Sequence, residues 1–343
     1  MSHIGARPLT RRAVLGAGGA FALGALISAC GGDDRAGGTA SPGGGGAWTF
    51  TDDRGTKVEA EQRPRRIVGY SATAAALHDF GIDEQIVGVF GPTKLKDGTP
   101  DPQAGNLPVD RLEIIGNAYG EFNIEKYAAL RPDLLVDNMF IEGELFYVPA
   151  ESKDKIYALA PSVAIAAGSV SLPKPIERTA ALAAALGADL KSAKVTAAKA
   201  RFEKAAEAVR AAAKAKPGLK VLAASASPDL FYASSPAKNS DLIYYKELGV
   251  DLIVPDKLGK DDYFESLSWE NADKYAADLI LLDSRTQALQ PKDLGSKPSW
   301  QDLPAVKAGQ VIPWNAEPRF SYEGCAPLLE ALATAIDSAK KTG

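Results

Sequence analysis

Phe122–Asp137 reads FNIEKYAALRPDLLVD, and Leu267–Asp283 reads LSWENADKYAADLILLD. The two stretches are versions of one unit. Each carries a cap-forming polar residue, Asn123 or Ser268, two positions before a glutamate, Glu125 or Glu270. A short helix-like stretch follows, and then an aspartate, Asp133 or Asp278, opens an apolar run. Glutamate and aspartate are spaced identically in the two copies. One unit used twice implies two similar lobes. A glutamate at the same point of each implies that both lobes present a carboxylate to one partner.

Outward from the first copy, Trp48–Thr51 and Thr56–Glu59 flank Asp52-Asp53-Arg54-Gly55 and read as a β-hairpin. Arg66–Tyr70 and Gln85–Val89 read as buried strands, with a helix Ala72–Phe80 between them that Ser71 is placed to cap and Gly81 to end. Alternation of this kind predicts a parallel, layered α/β sheet. Leu190–Lys216 breaks the pattern. It is rich in Ala, Lys and Glu, and Val195, Ala198, Phe202, Ala205, Val209 and Ala212 form one apolar stripe, so a long helix is expected until Pro217-Gly218 stops it. Strand signals then restart at Lys220–Ala224, Leu230–Tyr232, Leu279–Leu282 and Gln310–Ile312. A last helix is expected from about Pro327 to Lys340. The order is lobe, long helix, lobe.

The chain has 343 residues, 46% hydrophobic and 24% charged, which suits two α/β lobes rather than one core. A net charge of −4 gives no reason to expect a nucleic-acid partner. At the N-terminus, Thr10-Arg11-Arg12 precedes an apolar, glycine-rich stretch Ala13–Ala29, too short and too rich in glycine for a membrane span. The arginines read either as a twin-arginine export signal or as a plain positive flank. Leu26-Ile27-Ser28-Ala29-Cys30 resembles a bacterial lipobox, which implies cleavage before Cys30 and a diacylglycerol on its sulfur. Gly31–Gly46 has the composition of a flexible tether. The chain holds two cysteines, so with Cys30 lipidated Cys325 is left unpaired and is read as a small buried residue. The expected division is 1–29 signal peptide, 30–47 lipidated cysteine and tether, 48–189 N-terminal lobe, 190–216 linking helix and 217–343 C-terminal lobe.

Lipobox, tether, Arg66-Ile67-Val68, Ile86-Val87-Gly88-Val89, the segment Tyr127–Val136 and the segment Trp300–Val311 lie in a specific order. In that order the chain resembles substrate-binding proteins of ABC importers, of the iron–siderophore and cobalamin type, over essentially everything after Cys30. The resemblance implies two Rossmann-like α/β lobes joined by one long helix, with the ligand in the cleft between them. It implies an extracytoplasmic, lipid-anchored carrier, expected to act as a monomer, with no catalytic residues. Glu125 and Glu270 fall on the family's carboxylates that dock onto arginines of the membrane permease. A local explanation stands beside this: a glutamate in a first helical turn is favoured by the helix dipole by ~0.3–1 kcal/mol.

Histidine narrows the ligand. There are two, His3 in the signal and His78 in the first expected helix, too few for a direct Zn²⁺ or Mn²⁺ site. No cofactor is expected, and iron enters only inside a ferric siderophore. Such a chelate needs aromatic walls and a few directed polar groups. The residues placed by sequence beyond strand ends are Tyr70, Tyr119, Asn138, Tyr232, Arg285, Trp314, Arg319, Phe320 and Tyr322. Few cations accompany them, which favours a near-neutral or cationic chelate of the hydroxamate type. The same fold binding cobalamin or haem is the alternative. An enzyme is disfavoured, since no GxSxG, CxxC or phosphate loop appears outside the signal. An anchored assembly module without a small ligand is the remaining reading.

Overall fold

The computed structural model describes residues 47–342. The expected signal peptide, Cys30 and the tether as far as Gly46 lie outside the described residues.

Strands β1 (Trp48–Thr51) and β2 (Lys57–Ala60) form the N-terminal hairpin, with Trp48 opposite Ala60. Five strands follow: β3 (Ile67–Tyr70), β4 (Ile86–Phe90), β5 (Glu113–Gly116), β6 (Leu134–Met139) and β7 (Ser162–Ala166). They pair in the order β5-β4-β3-β6-β7, parallel throughout. Every residue of β3 and β6 is buried, as expected of a parallel sheet covered on both faces.

The second lobe contains β8 (Lys220–Ala226), β9 (Leu230–Ser234), β10 (Asp251–Leu252), β11 (Phe264–Ser268), β12 (Leu279–Asp283) and β13 (Val311–Trp314). Their order is β11-β9-β8-β12-β13, with β10 pairing to β8. This sheet is mixed, not wholly parallel. A tight Ser227–Asp229 turn sends β9 back antiparallel to β8, and β11 pairs antiparallel to β9.

The repeated unit acquires a structural meaning. Asp133 Oδ2 accepts the backbone N–H groups of Arg65 and Arg66 (2.9 and 3.0 Å), just before β3. Asp278 Oδ2 accepts the N–H of Lys220 (2.8 Å), the first residue of β8. Since β6 pairs with β3 and β12 with β8, each aspartate pins the start of the neighbouring central strand. The copies differ earlier. Asn123 caps the helix Ile124–Ala129 by accepting from Lys126 N (2.9 Å). Ser268 makes no such cap and is followed only by a 3-10 turn, Trp269–Asn271.

The long helix is Ala193–Ala215, opened by Ser192 and facing the core through Val195, Phe202, Ala205, Val209 and Ala212. It packs along the C-terminal helix Tyr322–Ser338, to which Arg201 is tied by Glu330 at 2.6 Å. That last helix begins five residues before Pro327, because Ser321 caps it by accepting from Gly324 N (2.9 Å). Ser71 caps nothing; its Oγ turns to Phe90 O (3.1 Å) and Thr93 Oγ1 (2.5 Å). Among the described residues no helix is long and apolar enough to cross a membrane.

Direct bonds also tie the lobes. Ser169 N donates to Lys238 O (2.8 Å), Leu172 N to Ser240 O (3.0 Å), and Tyr263 Oη to Phe140 O (2.5 Å). Gly168 sits in this seam, where a Cβ would run into Phe140 O and Tyr263 Oη, so only glycine lets the two lobes approach there.

Candidate functional site

The carboxyl ends of the parallel strands in both sheets converge on a cavity of about 1030 Å³ between the lobes. That is at the top of the range usual for small-molecule sites, about 300–1,000 Å³. The N-terminal lobe supplies Lys94 and Leu95 from the loop after β4, Tyr119 from the loop after β5, and Phe140, Phe146 and Tyr147 from the loop after β6. Asn117 holds the first two loops together. Its Oδ1 accepts from Thr93 N and Lys94 N (3.1 and 2.9 Å), and its Nδ2 donates to Lys94 O (2.7 Å). The C-terminal lobe answers with Tyr232, Tyr263, Phe264, Arg285, Trp314 and Glu317.

The aromatic walls are packed, not scattered. The Tyr147 ring lies 4.7 Å from Phe146, 5.2 Å from Tyr119 and 5.2 Å from Tyr70 between centroids. Tyr147 has φ of +62°, a left-handed backbone that costs a non-glycine residue on the order of 1 kcal/mol and concentrates at functional sites. Across the cleft, Tyr232 and Phe264 meet edge to face at 4.9 Å.

Four basic side chains, Lys94, Lys96, Lys153 and Arg285, line the cavity against three acids, Asp101, Glu144 and Glu317. Arg285 binds Asp283 through Nε (3.0 Å) and Nη2 (2.6 Å), and Glu317 through Nη1. Burial works against the guanidinium charge, but Glu317 and Asp283 outweigh it and raise the pKa further. Tyr70 is fully buried; burial and the neighbouring Glu317 raise its phenol pKa well above the ordinary value, so it stays a donor. Trp314 Nε1 donates to Asp241 Oδ2 (2.5 Å), and burial pushes the Asp241 carboxyl up to about 7.

Of the residues placed by sequence, Tyr119, Tyr232, Arg285 and Trp314 line this cavity. The other five do not. Tyr70 lies beneath the floor and donates to Glu317 Oε2 (2.8 Å). Asn138 is buried inside β6, its side-chain N and O atoms without hydrogen-bond partners. Arg319 is committed to Asp79 of the other lobe (3.0 Å). Phe320 is buried in the core near Phe140. Tyr322 packs on Phe80 and on Phe202 of the linking helix. The segment after Trp314 reads as an irregular cleft loop, yet Ser321 starts a helix, and this turns Phe320 and Tyr322 into the packing between lobes. Glu125 and Glu270 are both exposed. Each follows the carboxyl end of an edge strand, β5 in one sheet and β11 in the other.

Sequence reasoning missed Phe146, Tyr147, Tyr157, Tyr263 and Phe264. Phe146 and Tyr147 sit on the loop after β6, Tyr157 ends the short helix Lys153–Tyr157, and Tyr263 precedes Phe264 at the start of β11; the available signal was the adjacent aromatic pairs Phe146-Tyr147 and Tyr263-Phe264. His78 lies away from the cavity, its Nδ1 3.5 Å from Asp83. Among the described residues no group of three or more His, Cys, Asp or Glu is arranged to hold a metal ion. Cys325 is buried, its Sγ against Arg319 O, and burial raises its thiol pKa.

The profile of the periplasmic binding protein family matches residues 67–318, nearly the whole two-lobed body. The chain belongs to the periplasmic binding protein family. Its role is therefore that of a substrate-binding protein of an ABC importer, working outside the cytoplasm; family and structural relatives are binding proteins, not enzymes. DesE, a ferric-siderophore receptor protein from Streptomyces coelicolor, is 52% identical with a TM-score of 0.83, covering 86% of this chain and 100% of that one. More distant structures share the fold. The petrobactin-binding protein YclQ from Bacillus subtilis is 16% identical with a TM-score of 0.63, covering 85% of this chain and 99% of its own. A periplasmic heme binding protein from Pseudomonas aeruginosa is 17% identical with a TM-score of 0.57, covering 82% and 95%. No curated protein sequence matches the chain.

Proposed function

We propose that this periplasmic binding protein captures a ferric siderophore of the trihydroxamate type and hands it to a membrane permease. The observation that carries the reading is the cavity itself: large, walled by aromatic rings and close to balanced in charge. A trihydroxamate around Fe³⁺ is neutral, or cationic where it bears an amine. A tricatecholate chelate is trianionic and calls for a cluster of free cations, whereas Arg285 is already paired twice. Similarity to the ferric-siderophore receptor DesE supports the same reading. Iron is cargo inside the chelate, and the protein supplies walls and orientation.

The rest of the proposal concerns placement. A diacylglycerol on Cys30 anchors the carrier to the cell membrane, the lobes act as a monomer, and Glu125 and Glu270 meet arginines of the permease. Two exposed carboxylates on corresponding edges of two lobes give orientation and on-rate more than raw affinity. Mass spectrometry of the mature N-terminus tests the anchor.

Trp314 in the cavity wall makes ligand binding visible. Titration with ferrioxamine B should quench tryptophan fluorescence in a saturable way, while cyanocobalamin and haem leave it unchanged apart from inner-filter absorption. Saturable quenching by cobalamin or haem, with none by the trihydroxamate, would sink the siderophore reading.

A further inference from the structure

Arg285 is the least exposed of the cavity's cations, with a side chain 21% exposed against 29% for Lys94. Its guanidinium is taken up on two sides, by Asp283 behind it and by Glu317 beside it. Glu317 is itself 5% exposed and faces the cavity with one oxygen engaged on Arg285. Its other oxygen, Oε2, receives Tyr70 Oη (2.8 Å) and Gln103 Nε2 (3.0 Å). Gln103 Nε2 also reaches Tyr70 Oη (2.9 Å), closing a triangle. Tyr70 and Gln103 belong to the N-terminal lobe, Glu317 and Arg285 to the C-terminal lobe. A buried carboxylate fixed by donors from the opposite lobe thus sits against the least exposed cation of the cavity.

We propose that Glu317 is the residue that sets ligand charge in this cleft: held by Tyr70 and Gln103 beside an Arg285 that Asp283 already pairs, it leaves the trio one negative charge in excess and so turns away trianionic ferric chelates while admitting neutral or cationic ones. A charge at this depth acts in a medium of lower effective dielectric than water, so one carboxylate shifts the balance strongly for a ligand with several like charges. Tyr70 and Gln103 are positioning residues that act through Glu317. The inference rests on the reading of the ligand as a ferric siderophore.

Glu317→Gln tests it, because glutamine keeps the shape and an oxygen to accept from Tyr70 and removes only the charge. Affinities for ferrioxamine B and for ferric enterobactin, a trianionic tricatecholate, are measured by fluorescence quenching on wild type and variant. The ratio should move toward enterobactin by about tenfold or more. Tyr70→Phe should move it the same way by a smaller factor, and decides the matter if Glu317→Gln does not fold. A purely structural tie between lobes would lower both affinities together; an unchanged ratio in a folded variant overturns the inference alone. Wild-type protein that binds neither chelate overturns the siderophore reading and this inference with it.

Discussion

Strands β6 and β12 hold the same place in their sheets, each beside the central strand whose start its own aspartate pins, and each reaches a fully buried aspartate near its carboxyl end. In the C-terminal lobe that residue is Asp283, with the Arg285 guanidinium at 2.6 Å and Ser225 Oγ at 2.8 Å. In the N-terminal lobe it is Asp137, which accepts one bond from Asn138 N (2.7 Å) and has no partner on Oδ2. Burial raises the Asp137 pKa well above the carboxylate range, outweighing that one bond. The lobes are alike in how the repeated unit starts a strand and unlike in what they bring to the cleft. One floor holds an ion-pair network, the other a buried acid whose neutral form burial favours.

The largest effect should come from the feature the lobes share at their rims. Glu125→Lys and Glu270→Lys together should abolish uptake of the ferric chelate by cells while leaving its affinity for the purified protein unchanged. Each single change should cost a comparable fraction. A loss of affinity in the double variant would contradict a docking role.

The strand-end aspartates should respond with opposite sign. Asp283→Asn strips the half-buried Arg285 of the partner that takes up both its Nε and Nη2 and should destabilise by about 3 kcal/mol, the low end for breaking a buried pair because Glu317 remains. Asp137→Asn should instead stabilise at pH 8. Because its folded pKa is raised, Asp137 contributes fully below the ordinary carboxylate value of about 4 and loses that contribution as pH rises through the raised value. Thermal melting at pH 5 and pH 8 checks both; a destabilised Asp137→Asn at pH 8 would mean that its carboxylate has a partner.

Asp241 titrates in a measurable window. With its pKa raised to about 7 by burial, its stabilising effect is present at acid pH and falls as pH passes through about 7. Trp314 donates to it, so the emission of the wild type should shift around that pH and the shift should vanish in Asp241→Asn. The smallest contrast is at the caps. Asn123→Ala should cost about 1 kcal/mol in a denaturant melt, whereas Ser268→Ala, with no cap bond to lose, should cost a few tenths.

Much of the architecture was readable because it rests on local periodicity. The stripe Val195–Ala212 marks a one-faced helix, the apolar runs after Asp133 and Asp278 mark buried strands, and both survive in the structure. The irregular run Trp314–Tyr322 was not readable in the same way. Its composition suits a cleft loop, and only the Ser321 cap, which commits Phe320 and Tyr322 to the core and Arg319 to Asp79, removes them from the cavity wall. Asn138 failed for a related reason: a polar residue at a strand end looks exposed in a sequence, and β6 carries it on inside the sheet.

By itself, then, the sequence determined the two lobes, the helix between them and the matched pair of rim glutamates, since each depends on residues a few positions apart. The tertiary structure alone decided which aromatics wall the cavity, which arginine reaches it, and that Glu317 joins Asp283 on that arginine. Tyr70 and Glu317 are 247 positions apart and share a hydrogen bond. No short-range pattern encodes that distance, and the charge a ligand meets depends on it.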